Sequence, residues 1–161
     1  MKDVLSNWGR AYAAGMAGAT ALTAVHQVAR RVFEDAPRMD VVGERGIARG
    51  VEAAGGTPPE GPSLHRLALA GDLFANSAYY SLVACGSRAH VWRRGVVLGL
   101  AAGAGALALP RHMGLGDPPR SDRMANQIMT VAWYLVGGLA AAAFAARVSD
   151  PQQDAPHPAA A

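Results

Sequence analysis

From Met124 to Ala146 the chain runs 23 residues without a charge, bracketed by Arg123 and Arg147. A helix that crosses a bilayer core needs roughly 20 predominantly apolar residues. In water a helix of that length would need a polar face, which this one lacks. A second run, Ala11 to Ala29, holds 19 uncharged residues between Arg10 and Arg30. The chain therefore reads first as an integral membrane protein, and its 161 residues suffice for one all-α domain.

Four spans are expected, at about Trp8–Val28, Leu67–Gly86, Gly95–Leu109 and Met124–Ala146. The third is short and is closed by Pro110, which cannot continue a helix without losing a hydrogen bond. Trp8 and Trp92 stand at span ends, where an aromatic belt would place them. Lys2 and Arg10 ahead of an apolar stretch imitate a secretory signal, but the Gly-rich core and His26-Gln27 argue for a retained span. Between the first two spans lies a polar loop, 30–66. In it a short amphipathic helix is expected over about 41–54, capped by Asp40 and ended by Gly55-Gly56, lying on the membrane surface or capping the bundle. The domain then covers residues 1–148, and 149–161, rich in Pro and Ala, reads as a disordered tail.

Mean hydropathy is only +0.11 because the apolar content is largely Ala and Gly. The formal charge of +3 comes from 15 Arg and Lys, nearly all Arg, standing at the ends of apolar runs. That is the distribution of interfacial anchors, and no basic recognition face for nucleic acid appears. The dense Arg88, Arg93, Arg94 hairpin favours cytoplasmic termini. Cys85 is the one cysteine, so no internal disulfide or cysteine metal site is possible. Its expected role is a small packing residue near a helix end.

Small residues repeat every four positions on three spans: Gly95, Gly99 and Gly103 on the third, Gly15 with Gly18 beside it on the first, Gly137 and Gly138 with following alanines on the fourth. Membrane helices gain from close backbone approach, which small residues permit. Such stripes serve either packing inside the bundle or docking of another subunit or a second copy.

Asp72 is the one acid inside an expected span, and intramembrane acids are functional-site candidates by default. Asn76 lies one turn later on the same face. His26 and Gln27 at the end of the first span, and Asn126, Gln127 and Thr130 at the start of the fourth, fall in the same half of the bundle. These groups either form a hydrogen-bonded interior cluster, with Asp72 neutral or paired to Arg66 or His26, or line a site for an ion or small substrate. His26 also offers an imidazole for a haem or pigment, although no ligand spacing supports one and no metal site is expected. Ser77 or Ser81 with His26 and Asp72 lacks any nucleophile-elbow context, so no catalytic residue is assigned and the chain reads as a non-enzyme.

The strings DAPRMDVVGERGIARG (Asp35 to Gly50), LHRLALAGDLFANSAYYSL (Leu64 to Leu82) and ALPRHMGLG (Ala108 to Gly116) resemble a group of small bacterial four-span membrane proteins. The resemblance implies a multi-pass protein of the bacterial cytoplasmic membrane and carries no activity or site residue with it. Three functions are then expected, in order. The first is an accessory subunit of a respiratory or photosynthetic type of complex, docking through its Gly/Ala faces. The second is a small transporter or channel-like homo-oligomer using Asp72 and Asn76. The third is a haem- or pigment-binding protein using His26.

Overall fold

The computed structural model describes residues 2–148, and the expected tail at 149–161 lies outside them. Among the described residues the chain is all-helical: α1 (Lys2–Val32), α2 (Met39–Ala53), α3 (Gly61–Ser81), α4 (Val91–His112) and α5 (Met124–Val148). Two single 3-10 turns, Leu82–Ala84 and Arg88–His90, join α3 to α4.

Two of these helices are long and apolar enough to cross a membrane, α5 and α4 with the turn before it (Arg88–His112). This corrects the expectation that four would qualify. α1 and α3 fall short because their glycines add no hydropathy, and Thr20, Thr23, His26 and Gln27 in one and Asp72, Asn76 and Ser77 in the other lower it further. Boundaries shift as well. α3 begins at Gly61, upstream of Leu67, because Pro62 suits a first turn, where its missing N–H has no helical partner to lose. It gives way to the 3-10 turn before Gly86, whose φ of 99° an L side chain rarely adopts. Pro110 does not close α4 but sits in its last turn, since the bond it forgoes is a single one, to the carbonyl of Ala106. Asp40 does not cap α2. It lies inside the first turn, and the N-cap position falls to Arg38, which makes no side-chain cap bond.

The long helices alternate in direction. α1 packs on α3 and α5, and α4 on α5. The glycines predicted from spacing make these crossings. A Cβ on Gly15 would overlap the Ser77 carbonyl of α3, and one on Gly18 would stand 2.7 Å from the Gly137 carbonyl of α5. On the α4–α5 seam a Cβ would come within 2.6 Å of the Gly138 carbonyl at Gly95, 2.9 Å of the Leu135 Cα at Gly99, and 2.7 Å of the Val131 Cα at Gly103. Of the two uses open to these stripes, packing inside the chain is the one observed.

The core they enclose is made of Ala14, Ala19, Ala141 and Ala142 around the fully buried Tyr80 and Val83. Two tyrosines tie the helices: Tyr80 Oη donates to the Tyr134 carbonyl of α5 at 2.7 Å, and Tyr79 Oη to the Leu98 carbonyl of α4 at 3.0 Å. Large apolar side chains point outward instead: Phe74 is 67% exposed, Ile128 62% and Val97 57%. Cys85 is exposed rather than packed.

Glycine at a crossing and glycine in the open should respond oppositely to a methyl group. Gly15→Ala forces α1 off the α3 backbone and is expected to lower stability by about 1–3 kcal/mol or more, the range of overpacked cores. Gly50→Ala in α2 meets nothing within 4 Å, and is expected to be neutral or to gain about 0.5–1 kcal/mol from helix propensity. Thermal unfolding of the two purified variants against the parent chain checks both.

Candidate functional site

The end of the bundle where α1 finishes and α3 begins is built by arginine. α2 lies across it, packing on α3 where Gly43 approaches Ala68 and Ile47 approaches Gly71. Its outer side faces the loop after α4. Arg45 Nη1 donates to the carbonyls of Leu115 and Asp117 at 3.0 and 3.2 Å, and Arg49 Nη1 to those of Gly114 and Met113 at 2.8 and 3.2 Å. Gly114 and Gly116, both at positive φ, let the loop present successive carbonyls to the two guanidiniums. The strand of chain before α2 is fixed to the loop before α5: Arg38 N–H donates to the Pro119 carbonyl at 3.1 Å, Arg120 to the Glu34 carbonyl, and Arg123 pairs with Asp35 at 2.8 Å.

Asp40 is the centre of this cap. Its carboxylate takes two bonds of 2.9 Å from Arg38 and a 3.1 Å contact from Arg30, and its side chain is only 8% exposed. Burial alone would raise its pKa, but the bonded Arg38, with Arg30 close by, brings it below the ordinary carboxylate value. The same bond raises the pKa of Arg38. Glu44, one turn later, meets His65 Nδ1 at 2.7 Å. Asp40, Glu44 and His65 present possible ligand atoms within 4.8 Å of one another. Two arginines already neutralise Asp40, however, and His65 already partners Glu44. A divalent ion would have to displace these contacts, so the cluster reads as an ion-pair lock rather than a metal centre.

Beneath α2 lies a cavity of about 280 Å³. α1 contributes Leu22, Thr23, His26 and Gln27, and α5 contributes Trp133 and Tyr134. The first half of α3 supplies His65, Ala68, Leu69 and Asp72, and the last turns of α4 supply Ala106 and Pro110. α2 roofs it with Asp40 and its neighbours. α3 and α4 meet through Tyr79 at the other end of the bundle, so the cavity occupies the gap between their opposite halves. The His26 ring lies 4.9 Å from that of Trp133, and its Nε2, like Thr23 Oγ1, is buried without a hydrogen-bond partner. Asp72 both lines the cavity and is exposed, so it stands at the mouth. Asn76 Nδ2 donates to its carboxylate at 2.9 Å, and it has no ion-pair partner among the described residues.

Of the polar residues expected to converge, His26, Gln27 and Asp72 do so, with Asn76 attached through Asp72. Asn126 and Thr130 do not. Asn126 is buried at the start of α5 and holds the loops, donating to the carbonyls of Asp35 at 2.9 Å and Arg120 at 2.7 Å. Thr130 Oγ1 is spent on the Asn126 carbonyl of its own helix at 3.0 Å. Gln127 Nε2 holds the Ser121 carbonyl. Of the two states open to Asp72, neutral or paired to Arg66 or His26, the pairing is not made, and Arg66 reaches only the Ser63 hydroxyl at 3.4 Å. Sequence reading missed Thr23, one turn before His26 on the same face and so discoverable by spacing, and Trp133, for which no local signal exists. The chain matches no family model, no curated protein and no solved structure.

The lowered pKa of Asp40 fixes a sign. Its stabilisation is present above the ordinary carboxylate value of 3.8 and is lost as the pH falls through the folded value. Asp40→Asn leaves two guanidiniums unpaired, and with both still partly solvated it is expected to cost about 1–3 kcal/mol near neutral pH. The gap in thermal midpoint between parent and variant should close as the pH falls below 3.8 and through the folded value. A gap that persists there would mean that the charge is not what matters.

Proposed function

We propose that this chain is a four-span integral membrane protein that binds a small molecule in the cavity under α2, as a carrier or receptor rather than as an enzyme. The observation that carries this reading is a cavity lined by Thr23 and His26, whose Oγ1 and Nε2 are buried without partners, with a carboxylate at its mouth that has no ion-pair partner among the described residues. Buried polar atoms normally have partners, and pockets that pair an apolar lining with a few convergent polar groups are the usual form of a ligand site. Four spans are favoured over two by the outward faces of the long helices. Tyr12, Met16 and Val28 on α1 and Leu67, Leu69 and Phe74 on α3 are exposed and apolar, as are the outer faces of α4 and α5. A contiguous exposed apolar surface marks contact with a membrane or another protein. Trp8 and Trp92, 67% and 52% exposed, stand at the same end of the bundle, as an interfacial belt would have them.

The accessory-subunit reading gets less support, because the glycine faces that would have docked a partner are filled by the chain's own helices. A tetrapyrrole on His26 is disfavoured by size. At about 30 Å³ per water the cavity has room for about nine, so it suits a ligand of about ten non-hydrogen atoms.

Extraction from native membranes in mild detergent, followed by native mass spectrometry, tests the proposal. The chain is expected to resist alkaline washing and to carry a small molecule that Leu69→Trp, which fills the cavity mouth, removes without unfolding the bundle. Stoichiometric partner proteins with no bound small molecule would instead restore the subunit reading.

A further inference from the structure

The charges around the cavity are unequal, and the inequality specifies a ligand. Asp40 in the roof is matched by Arg38 and Arg30, and Glu44 behind it by His65. Asp72 at the mouth is matched by nothing cationic among the described residues: Asn76 supplies one amide donor and no charge. Among the described residues no arginine or lysine lines the cavity, where Thr23, His26, Gln27, His65 and Tyr134 are the other polar side chains. Thr23 Oγ1 and His26 Nε2 lack partners. Trp133 and Tyr134 add aromatic faces, which attract cations.

We infer, resting on the ligand-binding reading above, that the cavity takes a small organic cation: an ammonium group paired with Asp72, carried on an apolar or aromatic body of about ten non-hydrogen atoms. An anion is refused by Asp72, which would oppose it without a compensating arginine, because Arg30 and Arg38 are spent on Asp40. A neutral ligand would satisfy Thr23 and His26 but leave the carboxylate as it stands. A cation alone answers Asp72, and it enters from the side where Asp72 is exposed. The body then lies against Leu22, Leu69 and Trp133, which supply contact area without adding charge.

Three probes of similar size separate the outcomes: phenethylamine, its neutral isostere 2-phenylethanol, and the slightly longer anion 3-phenylpropionate, titrated calorimetrically into the detergent-solubilised full chain. Phenethylamine is expected to bind at least about tenfold more tightly than 2-phenylethanol, with 3-phenylpropionate weakest. Asp72→Asn should abolish the preference for the amine while leaving 2-phenylethanol binding in place, which also shows that the variant is folded. Equal binding of amine and alcohol to the parent chain, or a preference that survives Asp72→Asn, overturns the cation inference. The cavity reading survives that result so long as Leu69→Trp blocks the alcohol. If the parent chain binds none of the three and Leu69→Trp changes nothing, the cavity reading falls and the inference falls with it.

Discussion

The adjacent glycines Gly137 and Gly138 let α5 accept neighbours on two sides at once, and the bundle is arranged around that fact. Successive helical residues are separated by about 100°, so one glycine faces α1 and Tyr80 while the next faces Gly95 of α4. On both sides backbone meets backbone, with no room for a methyl group. α1 repeats the device at Gly15, where it crosses α3. Packing by shape complementarity between small residues works where the surroundings are as apolar as the helices themselves, because burying large side chains would then bring no advantage. Phe74, Ile128 and Val97 point outward, away from these crossings.

The two ends of the bundle are finished differently. At the end of the α3–α4 connection, Arg94 draws a tight turn together, its Nε donating to the Val83 carbonyl at 2.8 Å and its Nη1 to the Ser87 carbonyl at 2.9 Å, while Arg88 reaches the Ala146 carbonyl of α5 at 2.7 Å. At the other end the loops are longer, and arginines reach across them to acids and carbonyls. That leaves space between the helices, which α2 covers without filling. The cavity is thus a consequence of the longer loops at that end, since arginine hydrogen bonds finish both ends.

Much of this was legible in the chain. The uncharged run of α5 and the four-residue glycine repeats forecast both the helices and their crossings, because a helix face is a local property of spacing. The convergence of His26, Gln27 and Asp72 followed from their depth along antiparallel helices. What escaped was long-range. Arg45 and Arg49 find the loop at 113–117 some 64–72 residues away, and no local pattern marks a carbonyl as a guanidinium's target. Asn126 and Thr130 were misplaced for a related reason. A polar pair at the start of a helix looks alike in sequence whether it faces a cavity or anchors a loop, and only the loop's position distinguishes them. Asp40 resembled a helix cap because it precedes an apolar-periodic segment, yet two guanidiniums outcompete a backbone amide for a carboxylate.

The roof and the walls of the cavity differ in how firmly they are held. The walls are glycine crossings, where any separation breaks many van der Waals contacts together and where the packed backbone has no slack. α2 has no buried residue, and its ties are hydrogen bonds and ion pairs at a polar boundary, each contributing on the order of 1 kcal/mol or less where water competes. Asp40 is the exception, sheltered and joined to both α1 and the chain before α2 by its two arginines. The stability of the roof therefore rests disproportionately on one carboxylate, whereas that of the walls is spread along whole helices. Local opening follows the weaker set of contacts, so the least costly motion of this fold is a displacement of α2 over the cavity with the four-helix wall left intact.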